Sequence, residues 1–223
     1  MHRLRRIAQD RSPSDLQRIT SIYDQHAPRW DEIEGRGEGR VVGDFRDRLA
    51  GVLQGDVLEI GIGTGATLRH LTESSSSITS YTGIDLSAGM LAEAEKLVPG
   101  SPFPVTLRQM NAEDLSAFPD ETFDTVTASL VLCTVPDAEA ALREMARVVK
   151  PDGRIVLIEH VLAPNPVIAA GMKVVAPLQR RHMACNIDRR TDRLVREMGF
   201  RVERDDARFL GIVHLIVARP PEP

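Results

Sequence analysis

Between Val57 and Gly65 the chain reads Val-Leu-Glu-Ile-Gly-Ile-Gly-Thr-Gly, an apolar run that ends in glycines at every second position. Glycine reaches backbone angles closed to other residues and leaves no side chain between the main chain and a ligand. A strand that runs through such a turn into a helix presents unpaired N–H groups to an anion. Asp85 follows about 20 residues later, at the end of the next apolar run, where a carboxylate can accept both hydroxyls of a ribose. The chemistry such a set could do is recognition of an adenosine-type ligand. Gly61-x-Gly63-x-x-Ala66 also fits the looser dinucleotide pattern. A glycine turn without a ligand is a third reading. These residues alone leave S-adenosylmethionine, a nicotinamide dinucleotide and no ligand open.

Other side chains are candidates for handling an acceptor. His160 closes an apolar run and is the first candidate for a general base, because ligands of open α/β sheets bind at the carboxyl ends of the strands. The plainer reading is a histidine hydrogen-bonded within a wall. Asp24 and His26 are weaker candidates. Cys133 and Cys185 are candidates to line an acceptor pocket, against the commoner role of a small apolar filler. Two cysteines suggest neither a disulfide scaffold nor a zinc cluster, and no metal site is expected.

The elements that must position these residues alternate. Strands are expected at 56–62, 80–85, 103–110, 123–132 and 153–161, with helices at 64–71, 87–97 and 137–149. The last of these stops at Lys150-Pro151-Asp152-Gly153. A helix at 191–200 and two closing strands, 201–206 and 211–218, complete the pattern. This is an α/β, doubly wound, Rossmann-like sheet of seven strands, mostly parallel with an antiparallel last strand and helices on both faces. Residues 1–50 are expected to form an N-terminal helical lid, with two helices over 13–50, and 51–223 the main domain. Residues 163–187 interrupt the alternation as an acceptor-site insert. Its Val167-Ile168-x-x-x-Met172-x-x-Val175 spacing suggests an apolar helix face beside Lys173, Arg180, Arg181 and His182, fit for a hydrophobic acceptor, for peripheral contact with a membrane, or for core packing.

Composition sets outer bounds. A chain of 223 residues with 42% hydrophobic and 27% charged residues suits one globular α/β domain with a small addition. A net charge of −4 argues against a phosphate-gripping function and makes nucleic acid an unexpected partner. Arg3, Arg5, Arg6 and Arg11 form a local basic arm, and Ser74 to Ser77 reads as a loop. No apolar run is long enough to span a bilayer, and no signal-peptide core is evident, so a cytoplasmic location is expected.

Several motifs in order resemble the class I S-adenosylmethionine-dependent methyltransferases, the group that includes the ubiquinone/menaquinone C-methyltransferases. They are Glu59-x-Gly61-x-Gly63-x-Gly65, Gly83-Ile84-Asp85-Leu86-Ser87-x-x-Met90-Leu91, Asn111-Ala112-Glu113-Asp114-Leu115 and Phe123-Asp124-x-Val126. The stretch from Leu142 to Lys150-Pro151-x-Gly153 and the opening Ile22-Tyr23-Asp24-x-x-Ala27-x-x-Trp30-Asp31 belong to the same resemblance. It implies that Glu59 and the glycine turn (Gly61, Gly63, Gly65) hold the methionine end of S-adenosylmethionine and that Asp85 holds the ribose. Leu86 and Met90 would flank the adenine or ribose. Asn111 and Ala112 would meet the adenine edge with help from Glu113. Ser129 and Leu130 would line the methyl-donor pocket, and Tyr23 would close over the cofactor. Asn111 stands where the family often has Asp.

A narrower resemblance, to the alkyl-thiol methyltransferases, rests on Leu130-Val131-Leu132-Cys133-Thr134-Val135, Glu159-His160-Val161-x-x-Pro164 and Cys185-x-x-x-Arg189-x-Thr191. Similar bacterial proteins are labelled phospholipid N-methyltransferases. The expected acceptor is a small lipophilic molecule, a thiol first. A quinone-like ring or a phospholipid amine are the alternatives, and a non-catalytic S-adenosylmethionine-binding protein or a NAD-dependent oxidoreductase are the other classes. No Asn/Asp-Pro-Pro-aromatic motif follows the fourth strand, so methylation of adenine in nucleic acid is not suggested.

Overall fold

The structure is a computed structural model that describes residues 13–37, 39–71 and 77–222. The basic arm of Arg3 to Arg11 and most of the Ser74–Ser77 stretch lie outside the described residues. Three helices open the chain: α1 (Pro13–His26), α2 (Trp30–Gly37) and α3 (Gly39–Ala50), with a 3-10 turn at Ala27–Arg29. Among the described residues the region before the sheet thus holds three α-helices rather than the two expected.

The sheet follows as β1 (Gly55–Ile60), β2 (Ile78–Asp85), β3 (Val105–Gln109), β4 (Phe123–Ser129), β5 (Val149–His160), β6 (Arg201–Arg208) and β7 (Val213–Arg219). Between these strands lie α4 (Ala88–Glu95), α5 (Ala138–Val148), α6 (Pro166–Met183) and α7 (Thr191–Glu197). The strand order is β3-β2-β1-β4-β5-β7-β6. β1 to β5 pair in parallel, and β7 runs antiparallel to both β5 and β6. The order turns back between β1 and β4, so the carboxyl ends of these strands form the crevice in which open α/β sheets bind ligands.

Period-2 alternation divides the core. Leu58, Ile60, Val126, Ala128, Ile155, Leu157, Ile216 and Ala218 face α5 and α7. Val57, Val156, Ile158, Leu215 and Val217 face Phe45 and Leu49 of α3 on the other side. Both faces are covered, which is why these strands read as unbroken apolar runs. The motif of α5 is structural. Glu144 accepts the Leu115 N–H at 2.8 Å, and the Arg147 guanidinium donates to the carbonyls of Leu115 and Phe118, strapping down the 115–118 loop.

Two further elements differ from expectation. Residues 64–71 form turns and a 3-10 helix (Leu68–His70) instead of an α-helix. The hydroxyl of Thr64 donates to Asp31 and that of Thr67 to Glu59, and polar side chains engaged this way compete with helix formation. β5 begins at Val149 rather than Gly153, directly after α5, with a register irregularity between its pairings at Val149 and Arg154 that accommodates Pro151.

Candidate functional site

At the crevice lies a cavity of about 340 Å³. Its floor is the turn after β1. Gly61 has φ of +63° and Gly63 of +56°, in the left-handed region that other residues enter only at a cost. A Cβ at Gly61 would come within 2.5 Å of the Val131 side chain, so glycine lets β1 and the β4 exit approach each other. A Cβ at Gly63 would meet nothing within 4 Å, because that position faces the cavity. Gly65 does not line the cavity. It faces Leu97, where a Cβ would approach to 2.7 Å, so it serves packing against the segment after α4.

Asp85 ends β2 on the cavity wall. One carboxylate oxygen accepts Gly63 N–H at 2.9 Å and the other accepts Ser87 N–H at 2.9 Å. Burial raises its pKa, and these backbone donors pull against that rise. Each oxygen keeps lone-pair capacity for a ligand hydroxyl. Glu59 lies in the wall beneath, buried, accepting the hydroxyls of Thr67 at 2.5 Å and Tyr81 at 2.6 Å. Burial pushes its pKa up to about 7, opposed by these two hydroxyls and by the Arg46 guanidinium.

Leu86, Met90, Asn111 and Ala112 line the side toward α4 and the β3 exit. The Asn111 side-chain carbonyl accepts Glu113 N–H at 3.1 Å, so a ligand meets an oxygen already half engaged. Glu113 points away from the cavity and accepts Asp137 N–H at 2.7 Å at the start of α5.

The far wall is the end of β4. Ser129 lines the cavity, and its buried Oγ has no hydrogen-bond partner among the described residues. Leu130 adopts φ of +58°, strained for a branched-chain residue at a cavity wall. Glu159 holds the following turn by accepting Val131 N–H at 2.9 Å and Leu132 N–H at 2.8 Å. Cys133, His160 and Cys185 converge at this end, with His160 Nε2 lying 3.1 Å from Cys185 Sγ. The ring nitrogen offered as a base therefore faces a thiol.

Helices α1, α2 and α6 roof the cavity. Tyr23 and Trp30 pack ring on ring at 5.2 Å, and both line it. Tyr23 donates to the Met183 carbonyl at the end of α6 at 3.2 Å. Its hydroxyl pKa is raised by burial first and by the neighbouring cysteines. Asp24, weighed as a base, instead ties the lid to α4, accepting Ser87 Oγ–H at 2.5 Å and Gly89 N–H at 2.9 Å. His26 does not line the cavity. Asp31 accepts Thr64 Oγ–H and the Arg69 guanidinium, each at 2.6 Å, pinning α2 to the glycine turn. Arg46, Thr64 and Thr67 also line the site. Nothing in their spacing marks them as such, because each reaches the site through the folded lid or turn.

An orphaned Ser129 hydroxyl, a bare Gly63 turn and an acidic Asp85 at the switch point fit an adenosyl ligand with a charged amino-acid end. Residues 58–157 match the family described as "Methyltransferase domain". The chain is related to the class I S-adenosylmethionine-dependent methyltransferases. It is 44% identical to "Phosphatidylethanolamine N-methyltransferase" of Cereibacter sphaeroides over 124 residues, which are 55% of this chain and 59% of that protein. It is 31% identical to "Ubiquinone/menaquinone biosynthesis C-methyltransferase UbiE" of Geobacter sulfurreducens over 161 residues, 70% of this chain and 62% of that one. The matches thus span about three fifths of the length of these curated relatives.

The methyltransferase fold is shared with the DhpI–SAH complex, with a TM-score of 0.68, 22% identity and coverage of 96% of this chain and 100% of that one. It is shared also with the [4+2]-cyclase SpnF, with a TM-score of 0.71, 19% identity and coverage of 93% and 97%. A class I fold therefore does not by itself fix the reaction. The two curated relatives described here are named for phosphatidylethanolamine N-methylation and for ubiquinone/menaquinone biosynthesis, names closer to the alternatives expected from the sequence than to the thiol placed first.

Proposed function

We propose that this protein methylates a small lipid-borne acceptor, a phospholipid amine first. S-adenosylmethionine supplies a methyl group already activated on a sulfonium. In this reading the glycine turn and Glu59 hold the methionine end, and Asp85 accepts the ribose hydroxyls. Leu86, Met90, Asn111 and Ala112 surround the adenine, Ser129 and Leu130 shape the methyl end, and Tyr23 and Trp30 cover the site. The side chains need only align the acceptor and exclude water, and such positioning can supply roughly 7–11 kcal/mol. An ammonium acceptor must shed its proton before attack. His160 Nε2 lies 3.1 Å from Cys185 Sγ, so in this reading the proton passes to solvent before the acceptor is enclosed.

The observation that carries the lipid-borne acceptor is the outer face of α6. Val167, Val174 and Leu178 are 79%, 80% and 58% exposed. Their spacing sets them in one stripe. Ile168 and Met172, grouped with Val167 in the sequence, turn inward instead. The β6–β7 turn adds Phe209 and Leu210, 51% and 73% exposed, both at positive φ. It lies against the segment leading into α6, since a Cβ at Gly211 would come within 2.9 Å of Pro164. α6 carries no acidic residue, and although Arg180 pairs with Asp188 at 2.9 Å, Lys173 and Arg181 suit an anionic lipid surface. Its inner side supplies Gln179 and Met183 to the cavity wall, so the apolar face lies beside the cavity. Among the described residues no helix is long and apolar enough to cross a membrane, so the contact proposed is peripheral.

A quinone ring is the second reading, supported by the longer match to the quinone-named relative. The test supplies methyl-labelled S-adenosylmethionine with vesicles containing phosphatidylethanolamine, vesicles containing a demethylated quinone, or a soluble alkyl thiol. Label in methylated phospholipid is the expected result. Label in the quinone selects the second reading, and label confined to the thiol overturns the lipid-borne acceptor.

A further inference from the structure

Cys133, His160 and Cys185 come from three separate parts of the chain: the turn after β4, the end of β5 and the segment between α6 and α7. The fold gathers them so that two sulfurs and an imidazole nitrogen lie within 4.8 Å of one another. Among the described residues no other trio of histidine, cysteine or acidic side chains converges in this way. All three line the acceptor end of the cavity. We propose that Cys133, Cys185 and His160 form a three-ligand site for a thiophilic divalent cation, zinc first, whose fourth position faces the cavity.

The ligand chemistry selects the ion. Two thiolates and an imidazole suit zinc, whereas magnesium and calcium take oxygen ligands. A tetrahedral zinc with Zn–S of about 2.3 Å and Zn–N of about 2.0 Å holds its ligand atoms roughly 3.5–3.8 Å apart. The 3.1 Å contact between His160 and Cys185 and the 4.8 Å span of the trio bracket that separation. Small rotamer adjustments then complete the site. On binding, each thiol loses its proton to solvent, and neutral histidine contributes a ring lone pair. Two thiolates balance the charge of the ion, so the filled site adds no net charge to a wall in which Cys133 is buried. Three protein ligands with an open fourth position are the pattern of reactive rather than purely structural zinc.

The surroundings hold the ligands in register. The main-chain and side-chain N–H groups of Asn186 donate to the Cys133 carbonyl at 2.9 and 2.8 Å. Arg189 donates to the carbonyls of Leu132 and Val135, the latter at 2.8 Å. Glu159 fixes the Val131–Leu132 backbone from the other side. Support of this kind orients ligands before the ion arrives. The sequence hides the site because the three residues share no short motif. The expectation of no metal rested on counting cysteines, and an imidazole brought in by β5 changes that count.

The full chain, stripped of metal under reducing conditions, is titrated with Co2+ and then Zn2+. The expected result is one equivalent of Co2+ giving sulfur-to-cobalt charge-transfer absorption and the intense visible bands of a tetrahedral site, displaced by one equivalent of Zn2+. Cys133→Ser and Cys185→Ser should each weaken Zn2+ binding by more than about tenfold, since losing even an outer-shell partner costs about that much. Their circular dichroism should match the wild type, which separates a lost ligand from a lost fold. Wild-type protein that takes up no stoichiometric cobalt, or shows no sulfur charge transfer, overturns the proposal. So does unchanged affinity in both variants, or a Cys133–Cys185 disulfide in freshly isolated protein. The site does not depend on which acceptor is methylated, and binding of S-adenosylhomocysteine, measured separately by calorimetry, tests the methyltransferase reading without bearing on it.

Discussion

Glu59 is a carboxyl held in the cavity wall with a pKa near 7 because burial penalises its charge. The folded value lies above the ordinary 4.5. Its contribution to stability is therefore full below about pH 4.5 and is lost as pH rises through about 7, with a magnitude of roughly 3 kcal/mol. Glu59→Gln should flatten that slope, as measured by denaturant titration at several pH values. Under the proposed function, the ammonium of the methionine end would favour the ionised carboxylate. Cofactor binding should therefore release a proton at about pH 6 and tighten toward pH 7. Calorimetry in two buffers of different ionisation heat measures this, and equal heats in both would remove Glu59 from the site.

Asp85→Asn keeps the shape and loses the charge, and should weaken S-adenosylhomocysteine about ten- to a hundredfold. Gly63→Ala should cost about 1–2 kcal/mol of stability for its left-handed backbone and abolish cofactor binding, because the new methyl enters the cavity. Binding at wild-type affinity in a folded Gly63→Ala protein would refute that placement. At this scale the sequence was informative where local backbone alone carries a position to the cavity wall, as at Gly61, Gly63 and Asp85. It does not separate from these Gly65 and Glu113, which lie off the cavity wall and whose spacing is the same whether they face a ligand or a neighbouring helix.

Among the elements, α6 separates periodicity from burial. Its apolar positions repeat well enough for a helix, but the stripe they form is split between an inner side at Ile168, Met172 and Ala176 and an outer one at Val167, Val174 and Leu178. Apolarity alone does not say which side meets the core. Val174→Glu with Leu178→Glu should weaken binding to anionic vesicles by about tenfold or more, given roughly 1.5 kcal/mol or more for each buried apolar side chain. Turnover of a water-soluble acceptor should persist in that variant, and vesicle flotation beside a soluble assay distinguishes the two effects. The helix expected at 64–71 failed for a different reason. The hydroxyls of Thr64 and Thr67 find partners on Asp31 and Glu59, and those partners are supplied by the lid and by β1 rather than by the local sequence.

For the whole molecule, alternating strands and helices made the parallel sheet and its switch point legible, because burial on both faces leaves long apolar runs. The convergence of the 185–189 segment on the β4 exit was not legible, since it depends on Asn186 and Arg189 reaching carbonyls far away in sequence. The cavity joins the lid, the sheet and α6, so a ligand there should stabilise the molecule as a unit. Saturation at about 100 times the dissociation constant adds about 2.7 kcal/mol. The melting temperature should then rise by roughly 5–10 °C with S-adenosylhomocysteine and remain unmoved with NAD.

The clasp between α1 and α6 bears on the order of events in a catalytic cycle. Arg18 donates to the carbonyls of Arg180 and Arg181 at 3.1 and 3.2 Å, and Tyr23 to that of Met183, so two helices that both line the cavity are tied to each other. Under the proposed function, a cofactor seated beneath this helix pair would enter before the acceptor and leave after it. Turnover should then follow a compulsory sequence, cofactor first and its demethylated form last. S-adenosylhomocysteine should compete with S-adenosylmethionine and be noncompetitive toward the acceptor, and Arg18→Ala should hasten product escape without altering the transfer step.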